Sequence, residues 1–99
     1  MTKNIPMTHP GIILREEFFE PLGVTQLAAA KATGIPQSRL SEILAGRRSI
    51  TADTAARLGR FFKVDPRNWL NLQTAYDLWA LERDHARELS RVRPLELAG

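Results

Sequence analysis

The chain has 99 residues, a formal net charge of +3 and no cysteine. This length suits a single domain of about 100 residues. The lack of cysteine excludes disulfides and thiolate metal sites, and apolar runs as short as residues 12–14 exclude a membrane-spanning helix. The composition, 43% hydrophobic and 25% charged, is that of a folded domain. No apolar signal segment follows Met1, so we expect a cytoplasmic protein.

The excess positive charge lies in the middle of the chain. Residues 37–63 carry six Lys/Arg and two Asp/Glu, a net charge of +4, whereas residues 1–36 and 64–99 carry net charges of 0 and −1. A basic patch attracts phosphates and releases counterions when it binds them. The distribution favours a nucleic-acid partner over the alternative of a merely solvated face.

Caps and breakers predict four short helices in the first two thirds of the chain. Thr8 or His9 is a possible cap for the first, because Pro10 suits a first helical turn. Pro21 and Gly23 then end it. Thr25 and Thr51 are the expected caps of the second and fourth helices. The four helices are expected at about residues 10–21, 26–33, 37–45 and from Thr51 onward.

A fifth, longer helix begins at Asp65-Pro66, a cap followed by proline at the first position. No breaker follows until Pro94, which predicts about 25 helical residues. No segment shows the alternation of a strand, so we expect an all-α fold of five helices with a long C-terminal helix. The expected organisation is a flexible arm at residues 1–8, one domain at 9–93 and a frayed tail at 94–99.

The fifth helix has an apolar face and a charged second half. The aromatic and apolar residues recur at spacings of three and four, which indicates core or dimer contacts rather than base stacking. We expect the seam of a homodimer there, with closure of the monomer core as the alternative. Asp84–Arg87 and Glu88–Arg91 are spaced for i,i+3 ion pairs. The predicted seam comprises Trp69, Leu72, Tyr76 and Trp79.

Residues 26–50 have the pattern of a DNA-binding helix-turn-helix. Ala30 is small where two steeply crossing helices meet, and Gly34 accepts the positive φ of a sharp turn. Leu40 and Ile43, three residues apart, anchor the second helix to the core. The remaining side chains of that helix are short or forked and polar, which suits base edges and phosphates.

These polar residues give a predicted set of DNA contacts. Gln37 is the first choice for reading a base, since an amide can bond an adenine edge in bidentate fashion. Gln26 is expected on a phosphate, and Arg47, Arg48 and Ser49 are expected on phosphates from the loop. Arg39 is left open between guanine and the backbone. The full set is Gln26, Gln37, Ser38, Arg39, Ser41, Glu42, Arg47, Arg48 and Ser49.

Residues suited to catalysis do not cluster. His9 and His85 have no partner at metal-ligand spacing. Glu16 and Glu17 are adjacent on a helix and do not face each other. Phosphate-loop, dinucleotide and zinc-protease motifs are lacking. We therefore expect neither enzymatic activity nor a cofactor.

The helix-turn-helix stretch resembles the lambda-repressor-like (Xre-type) family, in which the paired glutamines, here Gln26 and Gln37, brace each other while the second reads a base. The resemblance sharpens to HigA-type antitoxins at His-Pro-Gly (residues 9–11), residues 13–18, residues 49–58 and Trp-Leu-Asn-Leu-Gln (residues 69–73) with residues 75–78. It covers roughly residues 9–79. Membership implies a five-helix fold that is usually dimeric, binding to the promoter of its own toxin–antitoxin operon, and a HigB/RelE-like ribonuclease toxin as partner.

Two residues depart from the family pattern. Ile12 stands where Glu is common, and Ala29 stands where Leu is common, so looser packing is expected at Ala29. Two other functions are kept as alternatives: a stand-alone repressor without a toxin, and a protein-interaction module with vestigial DNA binding. The +4 segment favours DNA over the second alternative.

Overall fold

The structure is a computed structural model that describes residues 6–97, and over that range its regular elements are all helices. The predicted all-α class is confirmed. Residues 1–5 of the expected arm and 98–99 of the expected tail lie outside the described residues. The helices are α1 (Pro10–Leu14, a π-helical turn Arg15–Phe19, then Glu20–Leu22), α2 (Gln26–Thr33), α3 (Gln37–Leu44), α4 (Ala52–Phe62), α5 (Pro66–Asp84) and α6 (Ala86–Leu89).

The first helix has the predicted cap, but it also contains a π-helical turn that the sequence did not predict. His9 Nδ1 accepts a hydrogen bond from the Gly11 backbone N–H at 2.9 Å, which satisfies one of the unpaired donors of the first turn. Pro21 does not end the helix, which continues to Leu22. The π-helical turn ends at Phe19, two residues before this proline, and the proline itself removes one backbone donor from the helix.

Predicted anchor residues form the core. Leu40 and Ile43 of α3 are fully buried, together with Leu14 of α1 and Leu58 of α4. An aromatic group closes one side, with Phe18 and Phe19 of α1, Phe62 of α4 and Trp69 of α5 at ring-centroid distances of 5.3–6.4 Å. α3 is therefore held by its packing on α1 and α2 rather than by its own short length.

Ala30, predicted to be small where the two helices meet, and its neighbour Ala29 both pack against the core. Ala29 is 0% exposed, whereas Ala30 is only partly buried against the core. Ala29, where Leu is common in the family, is thus a fully buried position, and the looser packing expected there stays a prediction.

The long helix is shorter than predicted. α5 has 19 residues and ends at His85, whose backbone (φ −128°, ψ 29°) leaves the helical region. The predicted Asp84–Arg87 and Glu88–Arg91 ion pairs are absent from residues 6–97, because the helix breaks at His85 within the first pair and α6 ends at Leu89, before Arg91. Arg83–Asp84 (2.8 Å) and His85–Glu88 pair instead. The molecule measures 59 × 29 × 23 Å, so it is strongly elongated.

Candidate nucleic-acid interface

The turn between α2 and α3 is held by hydrogen bonds on both sides of Gly34. Thr33 Oγ1 donates to the Ala29 carbonyl at 2.7 Å and accepts from the Ile35 N–H at 3.2 Å. Gly34 itself has φ +80°, which a residue with a Cβ adopts only under strain. The predicted role of this glycine as the turn residue is confirmed.

Arg57 of α4 binds the backbone of this turn and an acidic side chain of its own helix. Its Nη1 donates to the Thr33 carbonyl at 2.9 Å, and its Nε donates to the Asp53 carboxylate at 3.0 and 3.1 Å. One of the six basic residues behind the +4 charge of residues 37–63 therefore has a structural task. The sequence signal was the i,i+4 spacing of Asp53 and Arg57, which indicates the ion pair but not the bond to Thr33.

The first turn of α3 presents polar side chains to solvent. Gln37 and Ser38 are exposed, and Ser41 is half-buried one turn later. The opposite side of the helix carries the buried Leu40 and Ile43. A rigidly seated helix with a short polar edge is the form that the major groove of DNA admits.

The loop after α3 exposes three consecutive predicted phosphate ligands, Arg47, Arg48 and Ser49. Arg48 Nε lies 2.8 Å from a Glu42 carboxylate oxygen, with both side chains about half exposed. An ion pair of this exposure contributes at most about 1 kcal/mol. Glu42 therefore faces Arg48 rather than standing free for DNA, and Arg47 has no ion-pair partner among residues 6–97.

The two glutamines do not brace each other in this structure. Gln26 is the first residue of α2, half-buried, and Gln37 is the first residue of α3. Within residues 6–97 their side chains share no hydrogen bond, which differs from what the family resemblance implied. Arg39 is half-buried and lines a 240 Å³ groove between α3 and α4 with Arg48 and Ser49.

Of the four residues in the predicted dimer seam, one lies in the core and three are accessible to solvent. Trp69 is 2% exposed and packs on Phe18, so its assignment to the seam is wrong: its surface is already used within one subunit. Leu72 is 37% exposed, and Tyr76 and Trp79 are half-buried. Trp79 contacts Tyr76 at 5.7 Å and lies under the Arg83 guanidinium at 4.4 Å.

His9 joins this face to the start of α1. Its ring meets Tyr76 edge-on at 5.0 Å. Burial lowers the pKa of His9 below its usual 6.5, and the Asp77 carboxylate opposes this in part. A neutral ring is also what the cap requires, because Nδ1 accepts the Gly11 hydrogen bond.

Two long-range contacts near the interface were not predicted from the sequence. Arg15 Nη1 donates to the Leu44 carbonyl at 3.3 Å, which satisfies an end group of α3. Gln73 of α5, 5% exposed, accepts from the Ile50 N–H at 2.8 Å. In the sequence, only its position in the segment at residues 69–73, which carries the family resemblance, distinguished Gln73 from other polar residues of the helix.

Residues 6–97 contain no group of three or more His, Cys, Asp or Glu that could hold a metal ion. Across the same range no helix is both long and apolar enough to cross a bilayer. A groove of about 460 Å³ between α2 and α4 is lined by Thr33, Asp53, Arg57 and Arg60 among others.

Comparison with known proteins places the chain in a family. A helix-turn-helix (HTH_3) family model matches residues 16–69. The chain is 52% identical over 81 residues to virulence-associated protein I of Dichelobacter nodosus, which is 82% of this chain and 75% of that protein. It is 36% identical over 94 residues to antitoxin HigA-1 of Vibrio cholerae, which is 95% of this chain and 88% of that protein.

Solved structures agree with this placement. The Pseudomonas aeruginosa antitoxin HigA with the higBA promoter superimposes with a TM-score of 0.83 at 33% identity, over 90% of this chain and 98% of that one. Antitoxin GraA in complex with its operator gives 0.86 at 38% identity, over 98% and 99%. The chain therefore belongs to the Xre-type helix-turn-helix family, among the HigA-type antitoxins.

Proposed function

We propose that this protein is a DNA-binding antitoxin that represses its own toxin–antitoxin operon as a dimer. The observation that carries the proposal is the exposed first turn of α3, where Gln37 and Ser38 project from a helix seated by Leu40 and Ile43. The HigA and GraA structures with promoter or operator support a DNA partner of this kind. Acting on DNA, the protein would work in the bacterial cytoplasm.

In this proposal α3 enters the major groove with its first turn toward the bases. The Gln37 amide bonds an adenine edge, with Ser38 and Ser41 reaching bases or phosphates beside it. Gln26 binds a phosphate from the start of α2, where backbone N–H groups favour an anion. The missing bond between Gln26 and Gln37 leaves both amides free to be ordered by DNA.

The loop after α3 supplies the electrostatic part of binding. Arg47 is the strongest candidate for a phosphate contact, since it is exposed and lacks an acidic partner within residues 6–97. Arg48 must share its charge with Glu42, so its contribution to affinity should be smaller. Arg39, in the groove between α3 and α4, is close enough to Arg48 and Ser49 to act on the same strand.

A dimer would bring two α3 helices to successive major grooves, about 34 Å apart. One helix-turn-helix makes few contacts, so a second copy adds affinity without a larger domain. Leu72, Tyr76 and Trp79 offer the apolar surface for the second subunit. Trp69 is not part of that surface.

The toxin is the second proposed partner. Membership among the HigA-type antitoxins supports a HigB/RelE-like ribonuclease that this chain holds inactive. Copurification with the product of the adjacent gene, followed by an RNA cleavage assay with and without the antitoxin, tests this part. If the neighbour is neither bound nor inhibited, the protein is a stand-alone repressor.

Hydroxyl-radical footprinting on the upstream promoter tests the DNA part of the proposal. The expected result is two protected patches about one helical turn apart, each centred on a major groove. Gln37→Ala should weaken the protection of the promoter and reduce its preference over scrambled DNA, and Arg47→Ala should weaken both patches equally. Thr74→Ala, at an exposed position of α5, is the matched control. A single patch, or protection without sequence preference, would contradict the proposal.

A further inference from the structure

Backbone hydrogen bonds hold the N-terminal end of the loop that exposes Arg47, Arg48 and Ser49. The Gly46 N–H donates to the Ile43 carbonyl at 3.0 Å, and the Arg47 N–H donates to the Glu42 carbonyl at 2.8 Å. Together these form a Schellman motif with Gly46 at φ +79°. The path of the chain is therefore fixed as it leaves α3.

The C-terminal end of the loop is held by one side chain of another helix. Ile50 is 2% exposed, and its backbone N–H donates to Gln73 Oε1 at 2.8 Å. Gln73 belongs to α5, 23 residues further along the chain. A buried N–H needs a partner, and here the partner comes from outside the loop.

Asp77 determines which way the Gln73 amide points. Gln73 Nε2 donates to Asp77 Oδ1 at 2.9 Å, one turn further along α5. A flipped amide would place Nε2 against the Ile50 N–H and Oε1 against the carboxylate, which loses both bonds. Only one orientation satisfies both neighbours, so the acceptor for Ile50 is held in advance of any ligand.

We propose that Gln73 is a positioning residue for DNA binding: it holds the loop at residues 47–49 so that Arg47 and Arg48 meet phosphates without first being ordered. This inference deepens the proposed function and rests on it. Gln73 touches no DNA itself, being buried beneath the loop. Without that bond the arginines must be ordered as they bind, at a cost in entropy that cancels much of the gain from a phosphate contact, so that fewer phosphate contacts form.

Salt titrations of operator binding test the proposal. The variant is Gln73→Met, which keeps the length of the side chain and removes both bonds, and the matched control is Asn71→Met, at an exposed position of the same helix. Each phosphate contact contributes about 0.9 to the slope of log K against log salt concentration. Gln73→Met should lower the slope by roughly one to two units and affinity by about tenfold, whereas Asn71→Met should leave both unchanged.

A combination of variants separates positioning from general weakening. In a chain that already carries Arg47→Ala and Arg48→Ala, adding Gln73→Met should change neither the slope nor, beyond about twofold, the affinity, since coupled residues are not additive. A full additional loss in that background, or an unchanged slope with only a lowered Tm, would overturn the inference.

Amide hydrogen exchange of the free protein provides a readout that needs no DNA. The Ile50 N–H should be protected in the wild type and in Asn71→Met, and it should exchange rapidly in Gln73→Met together with the amides of residues 47–49. Equal protection in all three proteins would refute the positioning role. If exchange changes as expected but the wild type does not prefer its operator, the proposed function is wrong, whereas the role of Gln73 in holding the loop is confirmed.

Discussion

Substituting Gly11 by alanine should destabilise the protein, although alanine is the better helix former. A Cβ at Gly11 would lie 1.7 Å from the Ile43 carbonyl oxygen and 2.7 Å from its carbon. The obstacle is the backbone of α3, which cannot rotate away, so α1 must retreat from the recognition helix. Overpacking of this kind costs about 1–3 kcal/mol, and the helix preference of alanine returns at most about 1 kcal/mol.

We expect a net loss near the upper end, about 2 kcal/mol, which lowers the Tm of a domain of this size by about 10 °C. Thermal unfolding followed by circular dichroism measures it. Gly23→Ala is the control, because no atom lies within 4 Å of the added methyl group and only the left-handed backbone is strained, at about 1 kcal/mol. A Gly11→Ala protein as stable as the wild type would refute the reasoning about the α1–α3 contact.

Three further predictions concern the interface, the seam and pH. Gln37→Ala should weaken operator binding by about 1–3 kcal/mol and reduce the preference over scrambled DNA, measured by fluorescence anisotropy; unchanged preference would contradict the base-reading role. Trp69→Ala should cost about 3–5 kcal/mol of stability, whereas Trp79→Glu should leave the monomer folded and abolish the dimer in sedimentation velocity. Because the pKa of His9 is lowered in the folded state, protonation opposes folding. The stability that neutral His9 contributes is complete above its usual pKa of 6.5 and is lost as the pH falls from there through the lower pKa of the folded state. His9→Asn, which keeps a cap acceptor, should flatten urea midpoints between about pH 7.5 and 5.5 relative to the wild type; an equal fall in both proteins would contradict this.

Local signals in the sequence predicted most of the fold. Thr25, Thr51 and Asp65 each cap the helix they were expected to cap, through a side-chain oxygen that accepts from a backbone N–H. Leu40 and Ile43 are buried at the spacing that placed them on the core side of α3. Caps and apolar spacing act within a few residues, so a sequence read from one end to the other displays them.

Contacts between distant residues were not predictable in the same way. The bonds from Arg57 to Thr33 and from Gln73 to Ile50 join residues 24 and 23 positions apart, and their existence depends on how whole helices dock. The end of α5 at His85 also escaped prediction, since neither proline nor glycine marks it. Five of the nine candidate DNA contacts are exposed, namely Gln37, Ser38, Arg47, Arg48 and Ser49, and their binding to DNA stays a prediction. The pairing of Glu42 with Arg48 became visible only in three dimensions.

The most direct test of the account is a mobility-shift titration of the purified chain on its own upstream promoter, repeated at several salt concentrations and with scrambled DNA of equal length. We expect tight binding to the promoter that falls steeply with salt, and binding to scrambled DNA at least about 10³-fold weaker. Equally weak binding to both DNAs would contradict it and would reduce the helix-turn-helix to a scaffold.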